Sequence, residues 1–184
     1  MFSKLIMSKD KSTALIELRG TKISLMGTKC IVNGPLGHLP IQMAQIFTPF
    51  VVDGVLIIQF PKDSGESKML LGTTKSLLSN IINGVTEGHR GRLILCGIGF
   101  KATNSMGALQ LQLGFSKPVL HQIKKRVIVT TPTPNEIEIF GLDKQLVKQE
   151  STKIKKLRPS ESYKGRGIRF HNEPAKTKER KKSK

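Results

Sequence analysis

The stretch "GTTKSLLSNIINGVTEG", Gly72 to Gly88, is where the apolar period of the chain changes, and its reading decides the fold. Leu77, Ile81 and Val85 stand at i, i+4 and i+8 with Leu78 and Ile82 beside them, which makes one apolar stripe on a helix. A hydroxyl of Thr73 or Thr74 can cap the start and Gly88 fits just past the end, so a helix is expected over about 74–87. Sixty-nine residues later "GLDKQLV", from Gly141, repeats the pattern G-x-x-K-x-L-[LV] of "GTTKSLL", and Ile154 matches Val85 at the same offset. A second helix is expected from about Asp143, a capping residue, to Leu157, with Leu146, Val147, Ile154 and Leu157 on its inner side.

Outward from both helices the period is that of strands. "ALIELRG", "KISLMG", "KCIVNGPLG" and "GVLIIQFP" are short runs rich in Ile, Leu and Val that end in glycine or proline. "KDSGESK", Lys62 to Lys68, reads as a polar loop. After the first helix come "RLILCGIGF", "ALQLQLGF", "RVIVTT" and "EIEIF". In the second of these Leu109, Leu111, Leu113 and Phe115 face one way and Gln110 and Gln112 the other, as in a sheet with one wet side. Strands followed by a helix, twice, predict an α+β chain of two similar small domains, each an antiparallel sheet with one packed helix, plus a basic C-terminal extension. The expected domains are 1–82, 83–170 and a basic tail over 171–184. At roughly 75 residues each they have little core to spare, so mutual packing or a bound partner should matter.

Charge names the class of partner. Thirty-one Lys and Arg stand against thirteen acids, a formal +18. Residues 151–184 hold 13 basic and 3 acidic side chains, a net +10, so more than half the excess lies in the last 34 positions. Self-repulsion of that size opposes compaction unless a polyanion neutralises it. Nucleic acid is the leading candidate; an anionic membrane is the lesser one, because the basic end has no wide apolar face. No apolar run approaches the roughly 20 residues of a membrane span. "MFSKLIMSKDKS" lacks the continuous apolar stretch of a secretory signal and, being without arginine, resembles an organelle presequence only loosely. The chain is expected to be intracellular and mature nearly from residue 1.

Catalytic and metal chemistry find little support. Cys30 and Cys96 lie far apart without ligand spacing and read as buried free thiols; the four histidines are scattered. "GIGFKA", Gly97 to Ala102, meets the pattern G-x-G-x-x-[GA] after a strand, but a strand follows instead of the helix that would hold a pyrophosphate. Its glycines are expected to permit a bulge or a close approach of backbones. No enzyme activity, cofactor, metal or small-molecule substrate is expected.

The basic end carries the binding chemistry. In "ESYKGRGIRF", Glu161 to Phe170, Lys164, Arg166 and Arg169 surround Gly165 and Gly167. Glycines leave room for main-chain N–H groups to reach phosphate oxygens, and arginine adds a planar fork that fits them. Tyr163 can stack on a base or sugar, or serve as a hydrophobic anchor at the end of the domain. Lys153, Lys155, Lys156 and Arg158 extend the surface along the second helix. The RNA-binding set is therefore Lys153, Lys155, Lys156, Arg158, Tyr163, Lys164, Gly165, Arg166, Gly167 and Arg169. The competing reading is a solvated tail that keeps the protein soluble. "AKTKERKKSK" has no apolar anchor and should be disordered unless it threads along RNA.

"SESYKGRGI", Ser160 to Ile168, resembles the signature of the L-six family of large-subunit ribosomal proteins, with Arg166 where the family usually has lysine. The Gly72–Gly88 helix, "LCGIGFKA", "LQLGFSKPV" and "IEIFGLDKQLV" resemble further parts of it in the same order. His89 departs from a position that tends to be aromatic in the family, and "LRPSE" shifts a proline. The resemblance implies a duplicated two-domain fold and a structural, non-catalytic place in the large subunit. It also implies binding of large-subunit rRNA near the elongation-factor site and stalk base, beside neighbouring large-subunit proteins. The high charge and lysine-rich tail point to a mitochondrial ribosome, with a bacterial cytoplasm or a plastid as alternatives. A free-standing RNA chaperone or regulator acting off the ribosome is the second reading.

Overall fold

A computed structural model of the chain describes residues 13–27, 29–44, 46–59, 65–105, 107–174 and 178. The chain divides into two compact units, Met1–Glu87 and Gly88–Lys184. A cut after residue 82 would pass through the first helix, which runs on to Thr86.

The first unit holds β1 (Thr13–Glu17), β2 (Lys22–Met26), β3 (Lys29–Gly34), β4 (Gly37–Gln42), β5 (Thr48–Val52), β6 (Val55–Gln59) and α1 (Gly65–Thr86). The second holds β7 (His89–Cys96), β8 (Lys101–Ser105), β9 (Ala108–Gln112), β10 (Val119–Gln122), β11 (Val127–Thr133), β12 (Glu136–Gly141), α2 (Lys144–Leu157) and β13 (Gly167–Phe170). The duplication read from the two helices extends to topology. β1-β6-β5 in the first unit corresponds to β7-β12-β11 in the second, and β2-β3-β4 to β8-β9-β10, all antiparallel. Each unit thus has two sheets where one was expected. β13 has no counterpart among the described strands of the first unit; it adds to the open side of β7, pairing Gly167 with Cys96 and Phe170 with Leu93.

Side-chain period explains which face each element buries. On α1 the buried stripe is Leu71, Thr74, Leu78, Ile82 and Val85, against Ile16, Val32 and Leu56 of the strands. Leu77, expected on this stripe, is exposed, and Ile81 is half-buried. α1 also starts earlier than expected, at Gly65, so part of "KDSGESK" is helical and the rest lies outside the described residues. Thr73 is accordingly no cap: its Oγ1 donates back to the Leu70 carbonyl, 2.9 Å away. A first turn of Gly65, Glu66, Ser67 and Lys68 escapes apolar periodicity because it contains no apolar side chain. α2 matches its expected span. Asp143 caps it by accepting from the Gln145 N–H at 2.8 Å, and Val147 and Ile154 are buried with Leu146 and Leu157 packed alongside.

Turns follow local chemistry. Asp53 and Gly54, both at positive φ, close the β5–β6 hairpin as a two-residue turn of the primed type. In β9, Leu109, Leu111 and the following Leu113 are buried, but the strand ends at Gln112 and Phe115 is exposed, contrary to the alternation. After β7 a Cβ at Gly97 would meet the Phe100 ring at 2.8 Å, so that glycine admits an aromatic side chain where a close approach of backbones was expected. β8 follows it, and no helix N-terminus is there for a dinucleotide. Cys30 is a buried free thiol whose pKa burial raises; Cys96, also free, is only half-buried. Among the described residues no helix is long and apolar enough to cross a membrane.

Candidate nucleic-acid interface

The candidate interface is built from the end of α2, the loop after it and β13. That loop is tightly closed. The Glu161 N–H donates to the Arg166 carbonyl at 2.8 Å and the Gly165 N–H to the Glu161 carbonyl at 3.0 Å. The Ile168 N–H donates to the Arg158 carbonyl at 2.8 Å, and Pro159 bridges Ile168 in parallel. Ile168, fully buried, anchors the return strand in the core.

The two glycines serve this closure. Gly165 sits at φ 64, the left-handed region, and its N–H is already bonded within the loop. Gly167 sits at φ 137, and a Cβ there would lie 2.5 Å from the Pro159 carbonyl oxygen. Both glycines thus serve the loop's own closure, Gly165 through its left-handed conformation and bonded N–H and Gly167 through its close approach to Pro159. Arg169 belongs to β13, so the segment is half turn and half strand.

The structure sorts the cationic side chains into two groups. Lys155 Nζ lies 2.6 Å from Glu173 Oε2 and 4.9 Å from the centroid of the Phe170 ring. Lys153 Nζ lies 3.2 Å from Glu150 Oε1. The Arg158 guanidinium sits 4.9 Å from the centroid of the Phe115 ring. Arg169 is half-buried. These four are engaged internally or partly covered. By contrast Lys156, Lys164 and Arg166 are exposed and make no ion pair among the described residues. Tyr163 is 56% exposed, too open for a hydrophobic anchor.

Two acids that the sequence reading passed over organise the surface. Hydrogen bonds from Lys155 and then from the Phe170 N–H hold the Glu173 carboxyl below the usual carboxylate range. Glu150, a residue of α2 and 2% exposed, faces β10 and the residues just after it. Its Oε2 is 3.1 Å from His121 Nε2 and its Oε1 is 3.5 Å from Lys124 Nζ. Burial pushes this carboxyl up, but hydrogen bonds from His121 and Lys153 prevail and hold it below its ordinary value. Glu173 had a visible signal, an acid isolated in a basic stretch; Glu150 had only its place on a lysine-rich helix. Of the tail, Lys178 is described, its N–H donating to the Ser162 carbonyl at 2.8 Å; residues 175–177 and 179–184, where a threading tail was expected, lie outside the described residues. Among the described residues no group of three or more His, Cys, Asp or Glu could hold a metal.

Comparison with known proteins agrees with this geometry. The family model described as ribosomal protein L6 matches residues 96–171, from the end of β7 through β13. A large ribosomal subunit protein uL6 from Alcanivorax borkumensis is 38% identical over 164 residues, 89% of this chain and 93% of the relative. The protein of the same name from Paraburkholderia phytofirmans is 39% identical over 168 residues, 91% of this chain and 95% of its own. That from Burkholderia thailandensis is 38% identical over 167 residues, with 91% and 95% covered. With identity at this level running through both units and the matched segment containing the whole loop and its return strand, the chain belongs to the ribosomal protein L6 family.

Proposed function

We infer that this chain is a structural constituent of the large ribosomal subunit and binds large-subunit rRNA through its second unit. The observation that carries the reading is the division of cations: Lys164 and Arg166 stand exposed beside Tyr163 on a loop fixed by its own hydrogen bonds, and Lys156 stands exposed on the last turn of α2 before it. Such a surface holds phosphates by charge and stacks a base or sugar on the ring, while ordering of the loop costs nothing further on binding. Relatives named as large ribosomal subunit proteins support the assignment. The contact proposed lies near the elongation-factor site and stalk base, as the resemblance implies, with neighbouring large-subunit proteins as further partners. In this proposal Gly165 and Gly167 act by shaping the loop, while Lys153, Lys155 and Arg158, engaged with Glu150, Glu173 and Phe115, and the half-buried Arg169 support the surface around it.

For location we keep the mitochondrial ribosome, on the formal +18 and the lysine-rich C-terminus, although the relatives compared are bacterial. Sedimentation of a lysate tests the reading. Co-migration with large subunits that survives high salt is expected; a light, salt-labile pool would instead support a free-standing chaperone or regulator. Fractionation of organelles decides the location.

A further inference from the structure

From Gly88 to Asn135 the chain carries seven Lys and Arg side chains and no acid. Three of the seven are engaged: Arg92 with Glu138 at 2.7 Å, Lys124 with Glu150 at 3.5 Å, and Arg90 over the Phe140 ring. Lys101, Lys117, Lys125 and Arg126 are exposed and make no ion pair among the described residues. These four stand at the two ends of the β10-β9-β8 sheet. Lys101 opens β8 opposite Gln112, and Lys117 lies in the loop that leaves β9 at that end. Lys125 and Arg126 form the turn after β10 at the other end, closed by the Val127 N–H donating to the Lys124 carbonyl at 3.0 Å.

Between these ends the sheet has two unlike faces. Ala102, Leu109 and Leu111 are buried in the core. On the outer face Thr103, Gln110 and Leu120 make one row, flanked by Gln112 beside Lys101 and by Gln122 beside Ala108. Among its described residues this face has no acid and no aromatic ring. A protein interface would place apolar and aromatic side chains at its centre, and a single RNA strand would need rings to stack on. Amides and a hydroxyl on a flat sheet suit the wide, shallow minor groove of an RNA duplex, where 2′-hydroxyls both donate and accept. The face is also continuous with the interface described above. Phe115, in the β9–β10 loop that carries Lys117, lies 4.9 Å from the guanidinium of Arg158, where the cationic loop begins.

We propose that the outer face of the β10-β9-β8 sheet docks on the minor groove of an RNA duplex. Lys101 and Lys117 meet phosphates at one end of the face, Lys125 and Arg126 meet phosphates at the other, and Thr103, Gln110 and Gln112 meet 2′-hydroxyls between them. The inference rests on the RNA-binding reading and adds to it a second contact, base-paired and recognised by shape instead of sequence.

The test is hydroxyl-radical footprinting of a large-subunit rRNA transcript bound to the full chain. Wild type should protect riboses on both strands of one duplex segment, across its minor groove, besides the tract held by the Lys164–Arg166 loop. Replacing Lys101, Lys117, Lys125 and Arg126 together with alanine should abolish the duplex protection alone. It should also lower the slope of log affinity against log salt by roughly three to four. Thr103→Glu with Gln112→Glu puts two acids on the exposed face and should abolish the same protection; it decides the matter if the fourfold variant unfolds. Duplex protection that persists in the folded variants, or that is missing in the wild type while the loop's tract stays protected, overturns the sheet-face assignment alone. Absence of salt-dependent binding by the wild type overturns the reading beneath it.

Discussion

Lys155 and Glu173 meet at 2.6 Å, and through this pair the last turn of α2 holds the chain just beyond β13. Both side chains are partly exposed, and the ammonium also covers the Phe170 ring, so the contact joins charge to packing. A lysine whose position on the helix suggests a phosphate contact is thus committed to the fold. Replacing it with alanine should cost about 0.5–1 kcal/mol of stability, as for other partly exposed pairs, measured by urea unfolding. Because the Glu173 carboxyl is held below its ordinary value, the pair's contribution is full above that value. It is lost as pH falls through the lower, folded-state value.

Gly167 and Gly165 should differ in tolerance. Alanine at Gly167 meets the Pro159 carbonyl at 2.5 Å in a conformation that L-residues avoid, and should cost roughly 3 kcal/mol or more. Alanine at Gly165, in the left-handed region, should cost about 1–2 kcal/mol. Thermal unfolding of the two variants orders them; equal costs would mean that Gly167 is not packed as described.

Glu150→Gln should destabilise the second unit by about 1–3 kcal/mol, because His121, Lys124 and Lys153 lose their shared carboxylate. The Glu150 carboxyl is lowered in the folded state, so its stabilisation is present at neutral pH and lost in acid, as pH falls from the ordinary value of 4.5 through the lower folded one. In E150Q that segment of the acid-unfolding curve should flatten. An unchanged acid limb would exclude Glu150 as its source.

The helices and the repeat were legible because burial leaves a period. Leu78 and Val85 on α1 align with Val147 and Ile154 on α2, all buried. The repeat is illegible where the same offset pairs unlike residues. Ile82 aligns with Ser151, a small side chain packed close to Gly91, and Ile81 with Glu150, whose burial depends on partners from another element. The start of α1 left no trace because its first turn, Gly65 to Lys68, has no apolar residue for the periodicity to mark. For the interface, composition located the cations but could not say which were engaged. Lys155 and Lys156 are neighbours of identical chemistry, and only the placement of Glu173 separates them.

That separation is the central claim, and the salt dependence of rRNA binding tests it most directly. The slope of log affinity against log salt counts neutralised phosphates, at about one per contact. Replacing Lys156, Lys164 and Arg166 together with alanine should reduce the slope by roughly two to three. Replacing Lys153 and Lys155 should leave it nearly unchanged after correction for stability. An unaltered slope in the triple variant, or an equal fall in the double one, would contradict the division of cations described here.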